Sequence, residues 1–266
     1  MLLVFLLLGA AGSLALCLHA GWGGLGFALR FVLLTLAGFL AAVLVYVLLL
    51  TLILLFTDGK KEVTGDRPFF RFLLVQSVGL ILFFCGIRVR AEGLDQVPED
   101  PFLLVGNHRS GFDPMVAIWA LRRRRINFIS KPSNFRIPYG GPLMRRCGFL
   151  AIDREDDRKA LRTILAAADW MRRGEGSIGV YPEGTRSHTD ELLPFRSGCF
   201  KAAQRAGVPI VVAATRGSGA IAGRTPLRPT RVTLRICGVI PAAEAAAKKT
   251  AELSAEVRAM LEQGLA

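Results

Sequence analysis

The first 56 residues carry one charged side chain, Arg30, and contain two uncharged runs, Leu2–Leu18 of 17 residues and Phe31–Phe56 of 26. As helices these measure about 26 and about 39 Å against a hydrocarbon core of about 30 Å, so the second can cross a bilayer with tilt and the first is borderline. A cleaved leader is the alternative for the first run, but it lacks a basic start and a stronger apolar run follows closely. A third apolar stretch, Phe72–Ile87, has 16 residues, with Gln76 and Ser77 in its middle and Arg71 and Arg88 at its ends. It is too short to span, and reads either as a helix lying in one leaflet or as a core helix docking the following domain on the bilayer.

The rest is a different kind of chain. Mean hydropathy is +0.42 and net charge +13, of which +12 falls on residues 57–266. The hydrophobicity excludes a disordered chain, and about 210 residues suffice for one α/β domain with a real core. A basic balance admits nucleic acid, or an anionic membrane surface with its phosphate-bearing ligands, as partner. The apolar N-terminus favours membrane lipids, and no helix-turn-helix, RNA-stacking motif or zinc spacing supports nucleic acid. The five cysteines, Cys17, Cys85, Cys147, Cys199 and Cys237, are scattered without a C-x-x-C spacing, so neither a metal site nor a disulfide framework is expected. The linker His19–Arg30 is glycine-rich, whereas Lys60, Lys61 and Arg67 follow the second run. That asymmetry puts the basic domain on the cytoplasmic side of the cell membrane. The expected division is 1–56 as membrane-anchoring helices, 57–87 as linker and interfacial helix, and 88–266 as an α/β domain.

Within that domain Phe102–Gly106, Asn127–Ser130, Phe149–Asp153, Ser177–Tyr181, Ile210–Thr215 and Arg231–Ile236 read as strands. Asp157–Arg173 and Ala242–Gln263 keep apolar positions on one helical face. The alternation implies a mixed or largely parallel sheet flanked by helices, with its site at the C-terminal ends of strands.

Two strand ends carry dense polar motifs. In Gly106-Asn107-His108-Arg109-Ser110-Gly111-Phe112-Asp113-Pro114, Asp113-Pro114 is a helix start, which gives Asp113 a capping role; across the turn its carboxylate also reaches the imidazole of His108. His108 is the one histidine of three at a strand end among turn residues, where a general base belongs, although a surface histidine with local hydrogen bonds has the same sequence. The second motif is Val180-Tyr181-Pro182-Glu183-Gly184-Thr185-Arg186-Ser187, where Arg186 offers a planar fork suited to a phosphate or is simply solvated. Lys131, Arg154 and Arg196 also stand past strands or before a short helix, and four such cations suggest convergence on an anion. The run Arg122–Arg125 has a simpler account in the helix dipole and anionic lipid.

Asn107–Asp113 and Tyr181–Ser187 resemble the first and third sequence blocks of the glycerophospholipid acyltransferases, among them the 1-acyl-glycerol-3-phosphate acyltransferases. Gly148–Arg154 resembles the second block and Val208–Val211 the fourth, in the same order, over about residues 86–215. Arg196 stands where the family commonly has lysine, which keeps the charge and changes its geometry, and Val212 where it commonly has a second proline. The resemblance implies transfer of a fatty acyl group from a thioester to the free sn-2 hydroxyl of a lysophosphatidate, with His108 as general base oriented by Asp113. It implies that Arg186, with Glu183, Gly184 and Thr185, holds the acceptor phosphate, with Lys131 and Arg154 as second-rank contacts. No cofactor is implied; acyl-CoA or acyl carrier protein is the co-substrate. Ser110 and Cys147 are the alternatives as covalent nucleophiles, without further support for a triad. Other acceptors, lyso-ornithine lipid or lysophosphatidylglycerol, and a non-enzymatic module that holds anionic lipid are the rival functions. No Gly-x-Ser-x-Gly element suggests a lipid hydrolase.

Overall fold

The computed structural model describes residues 2–57, 67–99, 101–189, 191–226 and 228–266, which fall into two compact units, Met1–Lys61 and Glu62–Ala266. The expected contributions of Lys60 and Lys61 lie outside the described residues.

The first unit is a helical hairpin of α1 (Leu2–His19) and α2 (Leu25–Leu55). The helices meet at two glycines. A Cβ on Gly9 would stand 3.0 Å from the Thr35 carbonyl oxygen, and one on Gly38 would stand 3.1 Å from the Gly9 Cα. Such small pairs let apolar helices approach closely where no water drives them together. The glycine-rich linker is shorter than expected, because α2 already begins at Leu25 and absorbs Gly26 and Arg30. Arg30 places its guanidinium 4.7 Å from the centre of the Trp22 ring, a cation–π contact. Gly26–Leu55 is long and apolar enough to cross a membrane.

The second unit opens with α3 (Pro68–Phe84), which starts four residues before the expected stretch, with its proline in the first turn. Its packing is that of a core helix of the second unit. It buries Leu73, Leu74, Val78 and Leu82 among others, while Phe69, Phe72, Ile81, Phe83 and Phe84 stay exposed. Arg71 is buried too, and donates to the Ile126 carbonyl and the Asn127 side chain. By packing, α3 therefore belongs with the α/β unit rather than with a linker.

The remaining elements alternate as β1 (Ile87–Glu92), β2 (Leu103–Gly106), α4 (Asp113–Ala120), β3 (Ile126–Ser130), α5 (Gly140–Cys147), β4 (Leu150–Ala151), α6 (Asp157–Arg172) and β5 (Ser177–Val180). They continue with α7 (Lys201–Ala206), β6 (Ile210–Arg216), α8 (Ile221–Arg224), β7 (Thr230–Ile240), α9 (Ala242–Ala247) and α10 (Thr250–Leu265). The seven strands form one sheet in the order β1-β7-β6-β2-β5-β3-β4, parallel throughout except for the β6–β7 pair. The central strands are buried along their whole length, which is why they read as unbroken apolar runs. Helices α3, α4 and α5 pack on one side of the sheet. The other side is covered by α6, α7 and α10, whose Ile164, Ala203, Leu253 and Leu261 close the main core over Val105 and Ile178.

β4 keeps two of the five expected residues of Phe149–Asp153, β7 extends beyond Arg231–Ile236 at both ends, and two further elements differ in kind. β1 was not anticipated, because Arg88, Arg90 and Glu92 give an edge strand a charged face; it pairs in parallel with β7. The last helix is not continuous: Lys248 and Lys249 adopt extended backbone between α9 and α10. Side chains fix the break. Lys248 Nζ bridges Glu244 and Glu256, Gln204 donates to the Ala245 and Lys248 carbonyls, and Glu252 accepts from the Lys249 N–H.

Candidate active site

β2, β5, β3 and β4 are mutually parallel neighbours, so the segments that follow them emerge along one edge of the sheet. The register sets Val105 beside Val180, which brings the His108 loop against the Tyr181 loop. This topology gathers residues that are far apart in sequence: Lys131 follows β3, Arg154 follows β4, and Arg186 lies beyond β5.

Asn107 anchors the first loop. It is fully buried, its amide donates to the Thr215 carbonyl at 2.9 Å, and its oxygen accepts from the Thr215 N–H at 2.7 Å. The side chain thus adds one rung between β2 and β6 and fixes where the chain leaves the sheet. His108 follows, with its Nδ1 3.0 Å from Asp113 Oδ2. The same oxygen accepts from the N–H groups of Arg109 and Ser110, each at 2.7 Å. Asp113 is not the helix cap that its sequence position suggests. It is the first residue of α4, makes no capping bond into that helix, and turns back into the loop. Its Oδ1 is buried without a hydrogen-bond partner among the described residues.

Tyr181 stacks on the His108 ring, with centroids 4.4 Å apart and planes within 12°, and is itself stacked on Phe128 at 5.5 Å. The imidazole is therefore held at its edge by a carboxylate and on its face by an aromatic pair. Burial and the Asp113 charge push the Tyr181 phenol well above its ordinary range, so it stays protonated and serves as a wall. Sequence reasoning gave neither Asn107 nor Tyr181 a role; the available signal was a polar and an aromatic residue directly after buried strands.

Glu183 is buried, and its carboxylate faces the protein interior. Oε1 accepts from the His108 N–H at 2.7 Å and Oε2 from the Leu193 N–H at 3.0 Å. It ties the two loops together rather than lining the His108 cavity. Burial pushes its carboxyl upward, against the two N–H groups that favour the ionised form. Glu183→Gln has a single acceptor oxygen and leaves one of these N–H groups facing an amide. We expect a loss of about 1–3 kcal/mol, read as a lower unfolding midpoint of the solubilised protein. An unchanged midpoint would remove Glu183 from this role.

His108 opens into a cavity of about 520 Å3. Three cations line it, Lys131, Arg154 and Arg186, together with Thr185. Arg186 is exposed and forms no ion pair with a described residue; Lys131 is likewise exposed and unpaired. Arg154 is partly committed, since it donates to the Gly184 carbonyl. Gly184 sits at φ 70°, in the left-handed region, and contributes that carbonyl and a turn instead of a side chain. The opposite part of the cavity is apolar, formed by Leu74, Val78 and Ile81 of α3, Ile118 of α4, and Leu143 and Met144 of α5. Neither alternative nucleophile matches this geometry: Cys147 is buried at the end of α5, and the Ser110 hydroxyl accepts from the Phe112 N–H.

Residues 88–216 match the family described as Acyltransferase. A 1-acyl-sn-glycerol-3-phosphate acyltransferase of Salmonella typhimurium is 32% identical over 164 residues, covering 62% of this chain and 66% of the relative. One of Escherichia coli is 30% identical over 164 residues with the same coverage. One of Saccharomyces cerevisiae is 30% identical over 128 residues, 47% of this chain and 42% of the relative. The match thus spans about two thirds or less of these relatives' length. The crystal structure of a 1-acyl-sn-glycerophosphate acyltransferase from Thermotoga maritima superposes with a TM-score of 0.64 at 20% identity, covering 83% of this chain and 87% of that one. It shows a shared fold.

Proposed function

We propose, from the match of residues 88–216 to the acyltransferase family, that the chain moves a fatty acyl group from an acyl thioester to the free sn-2 hydroxyl of 1-acyl-glycerol-3-phosphate, giving phosphatidic acid. The observation that carries this reading is one cavity with three kinds of wall: a histidine–carboxylate pair, a set of cations and an apolar slot. A phosphorylated lysolipid has the matching parts in a hydroxyl, a phosphate and a chain.

With the Nδ1 proton donated to Asp113, the Nε2 lone pair of His108 takes the proton of the acceptor hydroxyl as its oxygen attacks the thioester carbonyl. The tetrahedral oxyanion collapses, the carbon–sulfur bond breaks, and the thiolate recovers the proton from His108. No acyl-enzyme forms. The N–H groups of His108, Arg109, Ser110, Phe112 and Asp113 are spent inside the protein. Gly111, which lines the cavity, is therefore the loop residue we assign as oxyanion donor.

Arg186, Lys131 and Arg154 hold the acceptor phosphate in this reading. Arg186→Ala should raise the KM for lysophosphatidate about tenfold or more while leaving kcat within a few-fold, as loss of a charge-assisted contact made equally in ground and transition states. The check is steady-state kinetics with labelled lysophosphatidate, run beside lysophosphatidylglycerol and lyso-ornithine lipid. Faster turnover of either of those two would replace the acceptor assigned here. We place the protein in the cytoplasmic membrane with its α/β unit on the cytoplasmic side, supported by the apolar α2 and by Arg67 beyond it.

A further inference from the structure

A second cavity, of about 510 Å3, lies under α6 and α7. Its floor is apolar, with Ile152, Leu161, Ile164 and Val180, and it is lined by three cations, Arg154, Arg196 and Lys201, and one carboxylate, Asp157. None of these four forms an ion pair with a described residue. Arg154 donates to the Gly184 carbonyl, and Arg196 Nη1 donates to the Arg154 carbonyl at 3.2 Å. Two guanidinium groups are thereby held side by side, close enough that burial and the Arg196 charge lower the Arg154 pKa. Like charges kept together beside an apolar floor are complementary to an anion that continues into an uncharged portion.

The two cavities share Ile129, Arg154 and Tyr181, and otherwise draw on opposite sides of the sheet. The His108 cavity is lined by α3, which exposes Phe69, Phe72, Ile81 and two further phenylalanines, so a bilayer-borne acceptor arrives on that side. The second cavity is lined by α6, which exposes Arg158, Lys159 and Arg162 beside Leu161 and Leu165, a mixed surface whose charges belong in water. Such a surface is compatible with a water-borne substrate.

Resting on the acyl-transfer reading above, we propose that the second cavity takes the carrier end of the thioester donor: Arg196 and Lys201 hold its phosphate, and the apolar floor takes the uncharged amide arm. The arm reaches the reacting side past Tyr181 and Arg154, where the cavities adjoin. Phosphate plus amide arm is common to coenzyme A and to a phosphopantetheinylated acyl carrier protein.

The test uses the full chain in lipid nanodiscs and the pair Arg196→Gln/Lys201→Gln, with its unfolding midpoint compared with wild type. Equilibrium binding of free coenzyme A and of 4′-phosphopantetheine, measured without lysolipid, should weaken about tenfold or more, the worth of one or two charge-assisted contacts. In turnover the KM values for acyl-CoA and acyl carrier protein should rise together, with the KM for lysophosphatidate within twofold, and Arg196→Lys should restore most of the binding. Unchanged probe binding, or a rise in the lysophosphatidate KM instead, would overturn the assignment. A rise for acyl-CoA alone would also overturn it, because the site would then read the nucleotide and not the shared arm. If wild type turns over no lipid, the acyl-transfer reading fails, while probe binding still decides this one.

Discussion

His108→Ala is expected to lower kcat by about 10²–10⁴-fold and to leave both KM values within a few-fold, the pattern of a group that acts in the transition state. In the proposed mechanism the imidazole is the group that shuttles the proton. Tyr181 is held protonated, the Asp113 carboxylate is enclosed, and Glu183 is occupied by two backbone N–H groups. Removing the ring takes away the base without touching the cations or the apolar slot, so both substrates should still bind. Initial rates at saturating donor and acceptor measure the effect. A variant within tenfold of wild type would mean that the proton leaves by another route.

Asp113→Ala should come close to the same loss, and Asp113→Asn should cost less, about 5–30-fold in kcat. The difference follows from how the carboxylate is used. All three of its contacts, to His108 Nδ1 and to the N–H groups of Arg109 and Ser110, converge on Oδ2, whereas Oδ1 has none among the described residues. An asparagine that sets its carbonyl oxygen in the place of Oδ2 keeps the three contacts, loses the charge and puts its NH2 where Oδ1 has no partner among the described residues. Alanine releases the imidazole and two buried N–H groups together. The charge-assisted part of such contacts is worth about 1–2 kcal/mol beyond a neutral bond, which sets the smaller effect. The measurement is kcat for both variants under the same saturating conditions. Equal losses would show that charge alone matters and that the loop geometry drawn from these distances does not.

The site was legible where a residue's place follows from strand ends. Once the runs before Gly106, Lys131, Arg154 and Tyr181 are read as parallel strands, His108, Lys131, Arg154 and Arg186 must emerge at one edge. What could not be read is direction. Glu183 and Arg186 are three residues apart in one polar motif, yet one faces inward and the other outward, because the partners of Glu183 are the backbone N–H groups of His108 and Leu193, which no local pattern announces. Asp113 shows the same limit: the rule that puts aspartate before proline at a helix start is right about the helix and wrong about which N–H groups the carboxylate serves. The break between α9 and α10 rests on Gln204 of α7, some forty residues earlier, so helical periodicity passed over it. β1 went unseen because an edge strand needs only one apolar face, and Arg88, Arg90 and Glu92 supplied the other.

The central claim, base-catalysed acyl transfer to a phosphorylated lysolipid, is tested most directly by the product. Membranes bearing the wild-type chain, and a His108→Ala control, are given labelled lysophosphatidate with acyl-CoA in one arm and acyl carrier protein in the other. The account predicts labelled phosphatidic acid from the wild type with at least one donor, formed in step with free thiol, and only a trace from the control. Thioester consumption without labelled phosphatidic acid, or equal product from both proteins, would contradict it.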